Sequence, residues 1–189
     1  MEAALRPTMR FVAVKTEDQQ ARVIPQFASG EALATMCLTE PDAGSDLSRI
    51  RCRAVQAGDG WSISGEKIFI SGGDQDMSEK IHHLVLARTS DDGVKGLSLF
   101  LCPCTRADGS RNAVTVTRIE EKMGLHASPT CQLAFDSAVA ELVGDARAVR
   151  LKTLTCGRAL DALKPAKRCG ACLGALCGVT AHTRAARGV

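Results

Sequence analysis

The 189 residues are 45% hydrophobic and 24% charged with a formal net charge of +3, a balance that fits a soluble globular chain and excludes a disordered one. The densest apolar run, Leu97 to Cys104, falls far short of the roughly 20 residues needed to span a bilayer, so no membrane span is expected. The first residues lack a basic stretch followed by a sustained apolar one, so a reducing, cytoplasmic location is expected rather than secretion.

In chain order, residues 16–26 read as the end of a helix. Thr16 followed by Gln19 fits a capping box, and Glu17 and Asp18 suit the positive end of the helix dipole. Pro25 is expected to end the helix, with Ser29-Gly30 turning the chain outward. From residue 32 the pattern changes to strands. Ala32–Thr39 is a short apolar run, and Arg49–Val55 alternates basic and apolar side chains as a half-exposed strand does. Ala57 to Gly60 reads as a turn into Trp61–Ser64 and then Lys67–Ser71. Further strands are expected at Ile81–Arg88, Gly96–Cys102, Ala113–Arg118, Thr130–Asp136 and Ala138–Val143. About eight short strands separated by glycine-rich turns predict an all-β fold, a sandwich or barrel.

The cysteines are nine, an odd number, and the first five (Cys37, Cys52, Cys102, Cys104 and Cys131) lie in strand-like segments. There they are expected to act as small buried hydrophobes rather than as a disulfide framework. Charge changes sign late in the chain. Residues 1–145 carry 15 basic and 20 acidic residues (15 − 20 = −5), and residues 146–189 carry 9 basic and 1 acidic (9 − 1 = +8). A boundary is therefore expected near Gly144. The last stretch is rich in Ala, Arg, Gly and Cys, and Pro165 limits any helix begun at Leu160–Leu163.

Two segments carry polar groups where a ligand could use them. In Met36–Asp46, a strand runs into Thr39, Pro41 fixes a turn, Gly44 permits close backbone approach, and Ser45 with successive amides can cradle an anion. In residues 65–73, Phe69 and Ser71 are two apart and so share one face of a strand, an aromatic beside a hydroxyl. Taken alone, these residues fit a cofactor site, but they fit better an ordinary strand-to-turn connection and a core phenylalanine.

Together CLTEPDAGSD (37–46), GWSISGEKIFISGG (60–73) and EKMGLHASPTCQLAFDSAV (121–139) resemble the middle domain of the acyl-CoA dehydrogenase family, in its order and spacing. Upstream, TEDQQARVIPQFASGE (16–31) looks like the end of that family's N-terminal helical domain, and FISGGDQD (69–76) leans toward the larger members similar to methylthiopropanoyl-CoA dehydrogenases. The resemblance implies a remnant of a helical domain at 1–31, a central β-domain at 32–145 that binds FAD and acyl-CoA, and a tail at 146–189 unlike the family. It implies that Met36, Cys37, Leu38 and Thr39 run along the flavin edge, with the Leu38 amide and the Thr39 hydroxyl bonding the ring's pyrimidine portion. Gly44 and Ser45 fall where the family contacts the FAD diphosphate and, for Ser45, the acyl-CoA. Phe69, Ile70 and Ser71 fall beside the flavin, Phe69 replacing a usual tryptophan and Ser71 a usual threonine.

By the same resemblance the reaction is oxidation of an acyl-CoA thioester to its 2,3-enoyl form, with a glutamate taking the α-proton and flavin taking hydride. Electrons then pass to an electron-transferring flavoprotein or similar acceptor, and full-length members are homo-oligomers. The glutamate belongs to a helical domain that follows the β-domain. Residues 146–189 do not match that domain, so this chain is expected to be a truncated form with no catalytic residue of its own. Weak FAD retention and little or no turnover follow, an inactive binding fragment being the alternative.

Two other functions are less well supported by the residues. Cys169-x-x-Cys172 with Cys177 and His182 has zinc-ligand types, but a single CxxC pair without a second supports no metal site. The basic tail could bind phosphate backbones, yet no aromatic residues are interleaved for stacking, so no specific nucleic-acid binding is expected. His82, His83 and His126 show no evident partners and no catalytic role, and adjacent His82 and His83 should face opposite ways.

Overall fold

The computed structural model describes residues 16–144. The expectations placed on 1–15 and 145–189, including the zinc and nucleic-acid readings of the tail and the Leu160–Leu163 helix, lie outside the described residues.

Helix α1, Glu17–Ser29, begins where the capping residue predicts: Thr16 is its N-cap and its hydroxyl accepts from the Gln19 N–H at 3.4 Å. Only half of the capping box forms. The Gln19 side chain donates instead to the Leu142 carbonyl at 2.8 Å, and Arg22 reaches Glu141 at 2.6 Å, which ties the helix to the far end of the chain. The helix does not stop at Pro25. It runs four residues further, to Ser29, and is capped by Gly30 in the left-handed conformation, φ +80°, where a Cβ would be strained. Packing on both sides of the proline explains this: Val23 sits in a buried cluster with Leu84, Leu99, Leu101 and Val143, and Phe27 packs against the same cluster. Gly30 ends the helix; Pro25 does not.

Among the described residues there are seven strands in one sheet: β1 Ala32–Cys37, β2 Arg53–Ala57, β3 Gly60–Ser71, β4 Lys80–Arg88, β5 Leu97–Pro103, β6 Val114–Ile119 and β7 Thr130–Leu142. The fold is all-β with one helix, as the strand spacing predicts. Pairing follows β1-β4-β2-β3-β7-β5, and β5 pairs back onto β4, so β4, β2, β3, β7 and β5 form a closed circuit of hydrogen bonds. Two junctions of the circuit are slender, with Arg53↔Arg88 alone joining β2 to β4 and two residue pairs joining β5 to β7. β1 adds parallel to β4, and β6 adds to β7. No helix among the described residues is long and apolar enough to cross a membrane.

β4 and β5 are buried almost throughout, which suits their apolar runs, Leu84–Ala87 and Leu99–Cys102, and buries His82, His83, Arg88 and Ser98 with them. Cys37, Cys52, Cys102, Cys104 and Cys131 are all free and buried, as small core hydrophobes. The Ala57–Gly60 turn forms as expected, joining β2 and β3 as an antiparallel hairpin.

Three strand expectations are corrected. Trp61–Ser64 and Lys67–Ser71 belong to one strand, and Thr130–Asp136 and Ala138–Val143 to another, each interrupted by a bulge rather than a turn. One register shift falls between Ile63/Gly65 on β3, opposite Ser137 at φ +59° on β7; the other falls between Lys67/Ile70 on β3, with Phe69 at φ +60°. Gly65 (φ +139°) lies where a Cβ would come within 2.8 Å of the Cys52 Cα, so no larger residue fits that crossing unstrained. Arg49–Val55 is not a strand from its start: Leu47–Arg49 is a 3-10 turn, capped by Asp46, and the strand begins at Arg53. The alternation is real, with Ile50 and Cys52 buried and Arg51 exposed, but the Arg51 and Cys52 N–H groups bond the Glu40 carboxylate at 2.7 and 3.0 Å instead of a neighbouring strand.

Candidate functional site

The two segments singled out in the sequence lie side by side. The Ile68 N–H donates to the Thr39 carbonyl at 2.9 Å, joining the chain just past β1 to the bulged part of β3. Past Thr39, Glu40 and Ala43 exchange both backbone hydrogen bonds, 2.8 and 3.2 Å, so Pro41-Asp42 makes the tight turn its proline implies. Gly44 and Ser45 follow on the surface, and a Cβ built on Gly44 meets nothing within 4 Å.

Side chains along these segments divide sharply. Thr39 and Leu38 are half-buried, and neither the Thr39 N–H nor its hydroxyl has a partner among the described residues. Phe69 is 54% exposed and Ser71 is exposed, whereas Ile70 between them is buried. Both outward residues therefore stand on the solvent side of the strand. Phe69 holds the left-handed conformation, which an aromatic L-residue adopts only at a cost of about 1–2 kcal/mol. Cys37 and Ile70 turn their side chains inward, so only their backbones could meet a ligand. Burial pushes the Cys37 thiol up to about 12, so it is no nucleophile. Met36 packs on the cluster beneath the helix. At the turn, hydrogen bonds from the Ser48 hydroxyl and amide hold the Asp46 carboxyl below its usual range.

The residues with the largest structural consequence were not among those singled out. Lys67 and Glu40 form an ion pair at 2.8 Å with side chains 0% and 5% exposed, and the Lys67 ammonium also donates to the Leu38 carbonyl at 3.0 Å. The sequence signal was present, an acid and a base inside two adjoining motifs. Simple alternation places Lys67 on the same face as Phe69 and Ser71, and the bulge overturns that.

His82 and His83 have partners after all. His82 meets Gln26 at 3.1 Å and stacks edge-on with Phe27, while His83 shares a 2.7 Å hydrogen bond with Thr35 and lies edge-on to Phe135. One faces α1 and the other faces β1 and β7, so they do point opposite ways. Both are core groups. Among the described residues no cluster of His, Cys, Asp or Glu is arranged to hold a metal.

Residues 35–138 match the family model described as acyl-CoA dehydrogenase, middle domain. The chain is 47% identical over 138 residues to 3-methylmercaptopropionyl-CoA dehydrogenase of Ruegeria pomeroyi, covering 69% of this chain and 24% of that protein. It is 53% identical over 130 residues to the broad-specificity linear acyl-CoA dehydrogenase FadE5 of Mycobacterium tuberculosis, covering 64% and 21%. Its backbone superposes on the crystal structure of an acyl-CoA dehydrogenase from Geobacillus kaustophilus with a TM-score of 0.64 and 31% identity, over 74% of this chain and 36% of that one. The chain thus spans about a quarter of the length of the curated relatives it matches.

Proposed function

This chain belongs to the acyl-CoA dehydrogenase family, and from that premise we propose that its β-domain binds FAD and an acyl-CoA thioester for α,β-dehydrogenation. The observation that carries the reading is the Ile68–Thr39 hydrogen bond, which brings a threonine whose hydroxyl has no partner among the described residues to the segment that carries an outward aromatic residue.

The residues fit a flavin. The Leu38 amide and the Thr39 hydroxyl supply donors to a polar ring edge, Phe69 supplies an apolar wall, and Ser71 supplies a second hydroxyl on the same side. The Cys37 and Ile70 backbones continue the two segments, with Met36 beneath. Gly44 and Ser45 supply exposed backbone and a hydroxyl for phosphate oxygens, Ser45 also serving the acyl-CoA. FAD, when bound, accepts the electron pair removed as the Cα–Cβ bond becomes a double bond. Donors fixed in place before reaction favour the negative charge that develops on a reduced ring.

We assign the α-proton to a glutamate outside residues 16–144, in keeping with the helical domain that follows this one in the resemblance. On this division 1–31 closes a helical domain, 32–145 is the cofactor-binding body and 146–189 is a separate tail. The electron acceptor is an electron-transferring flavoprotein or similar protein, the working assembly is a homo-oligomer, and the five free buried thiols suit a reducing, cytoplasmic compartment.

Titration of the purified chain with FAD, followed by flavin fluorescence, tests the reading. Weak but saturable quenching is expected, with no bleaching of the visible flavin band when acyl-CoA is added without oxygen. Absence of saturable binding removes the cofactor assignment; rapid bleaching removes the expectation that this chain supplies no catalytic base of its own.

A further inference from the structure

We propose that Lys67 and Glu40 are positioning residues for the Leu38–Thr39 edge and the Phe69 bulge, a role that rests on the flavin reading above. The ammonium of Lys67 grips two neighbours of the edge at once, the Leu38 carbonyl at 3.0 Å and the Glu40 carboxylate at 2.8 Å. A peptide unit is planar and trans, so anchoring the Leu38 carbonyl on Lys67 turns the Thr39 N–H the opposite way, away from the ion pair. That N–H has no acceptor among the described residues. The next peptide is fixed as well, since the Thr39 carbonyl accepts from Ile68, one residue beyond Lys67.

The carboxylate extends the frame to a third segment. Its two oxygens accept from the Arg51 and Cys52 N–H groups, at 2.7 and 3.0 Å, while Lys67 shares the second of those oxygens. A single buried pair thus ties the chain after β1, the chain before β2 and the middle of β3. On β3 the same lysine is the last residue in register with β7, at Leu133, before the extra residue that strains Phe69. Holding Lys67 inward is what obliges the extra residue to be absorbed at 68–69.

A buried ion pair is poor evidence of stabilisation, because desolvating both charges offsets their attraction, and a neutral pair of similar volume often serves stability equally well. Geometry gives the charges a use: one ammonium donates to a carbonyl and a carboxylate at once, and the two carboxylate oxygens accept from two amides and that ammonium.

The test compares Lys67→Met, Glu40→Gln and the double variant Glu40→Gln/Lys67→Met in the full chain, reading melting temperature and FAD affinity separately. Lys67→Met strands a buried carboxylate and lowers the melting temperature. The double variant removes both buried charges and recovers much of that melting loss, short of the one amide left facing the carboxamide NH2, yet its FAD affinity stays down by about tenfold, the loss of one hydrogen bond to a charged group. Recovery of FAD affinity along with stability overturns the positioning role and leaves a structural pair. If a single variant does not fold, the double variant decides alone, since its carboxamide oxygen still accepts from one of the two amides that Glu40 now serves. Failure of the unsubstituted chain to take FAD overturns the flavin reading and this role with it; equal binding by the unsubstituted chain and the double variant overturns this role only.

Discussion

The Ile68 amide donates to the Thr39 carbonyl across 2.9 Å, and the residue after Ile68 is an aromatic in the left-handed conformation. The bulge keeps Ile70 in the core while sending Phe69 outward, where 54% of it is exposed. Stability gains little from that arrangement: the backbone is strained and the ring is half bare. Strain of this kind persists only where the surrounding structure holds it in place, and it clusters at sites that meet a ligand.

Replacing Phe69 with glycine separates the two effects. Glycine takes φ +60° without the Cβ penalty, so thermal stability without FAD should hold or rise by up to about 1 kcal/mol. FAD affinity should fall, because the apolar wall is gone. Parallel thermal melts and FAD titrations check it, and a stability loss beyond that of an ordinary exposed substitution would mean that Phe69 belongs to the core.

His82 and His83 make the fold acid-sensitive. Burial lowers the His82 pKa from 6.5 to about 4, with Lys80 and Arg22 adding to the effect and Glu141 and Glu31 opposing it. Burial lowers His83 to about 3, with His82 and Arg111 contributing. Both folded values lie below the unfolded one, so between them the unfolded chain binds more protons. Stability is thus fully present above pH 6.5 and falls as pH drops, with two sites contributing down to about 4 and His83 alone below that. Urea midpoints measured from pH 7 downward should decline in that window, and a His83→Gln variant should flatten the decline. A flat profile would show that neither histidine is held neutral.

The sequence made some of this legible, for physical reasons. β4 and β5 read correctly because both faces are buried, so each carries a run of consecutive apolar residues, Leu84–Ala87 and Leu99–Cys102. β3 and β7 each read as two strands because a bulge breaks the period of two, at Gly65 opposite Ser137 and again at Phe69. Arg49–Val55 read as a strand because burial does alternate there, while the partner of its amides, the Glu40 carboxylate, is distant in sequence. Within the candidate site, Thr39, Phe69 and Ser71 stood out by type and spacing. Lys67 did not, since the alternation that correctly paired Phe69 with Ser71 put the lysine on their face.

The five described cysteines should resist alkylation while the fold is intact. Burial raises the Cys37 thiol to about 12 and Cys52 to about 11, against an ordinary 9.0, and raises Cys102 further, with Cys37 and Cys104 adding to it. The reactive species is the thiolate, which these groups scarcely populate at neutral pH. Brief iodoacetamide treatment followed by peptide mapping should leave Cys37, Cys52 and Cys102 unmodified in native protein and modify all three in urea. Native labelling of Cys37 would place that strand edge in solvent.

Arg88 offers the sharpest test of how the surface turn near Ser45 is held. Its guanidinium is buried without a carboxylate partner among the described residues and donates instead to four carbonyls: Ile50 at 2.9 Å, Ser48 at 2.8 Å, Gly93 at 2.9 Å and Ser90 at 3.1 Å. One planar fork thus staples the 3-10 turn after Ser45 to the turn before β5, a pattern that a lysine ammonium on its flexible stem cannot reproduce. Arg88→Met leaves those carbonyls without their donor and should cost about 3 kcal/mol. Arg88→Lys should recover only part of that loss. Denaturant unfolding of the two variants measures both values, and hydrogen exchange at the Arg49 and Ile50 amides, which close the 3-10 turn onto Asp46 and Leu47, reports the turn itself. If Arg88→Lys matches the unsubstituted protein in both, a point charge suffices, and the fork geometry does not hold the turn in place.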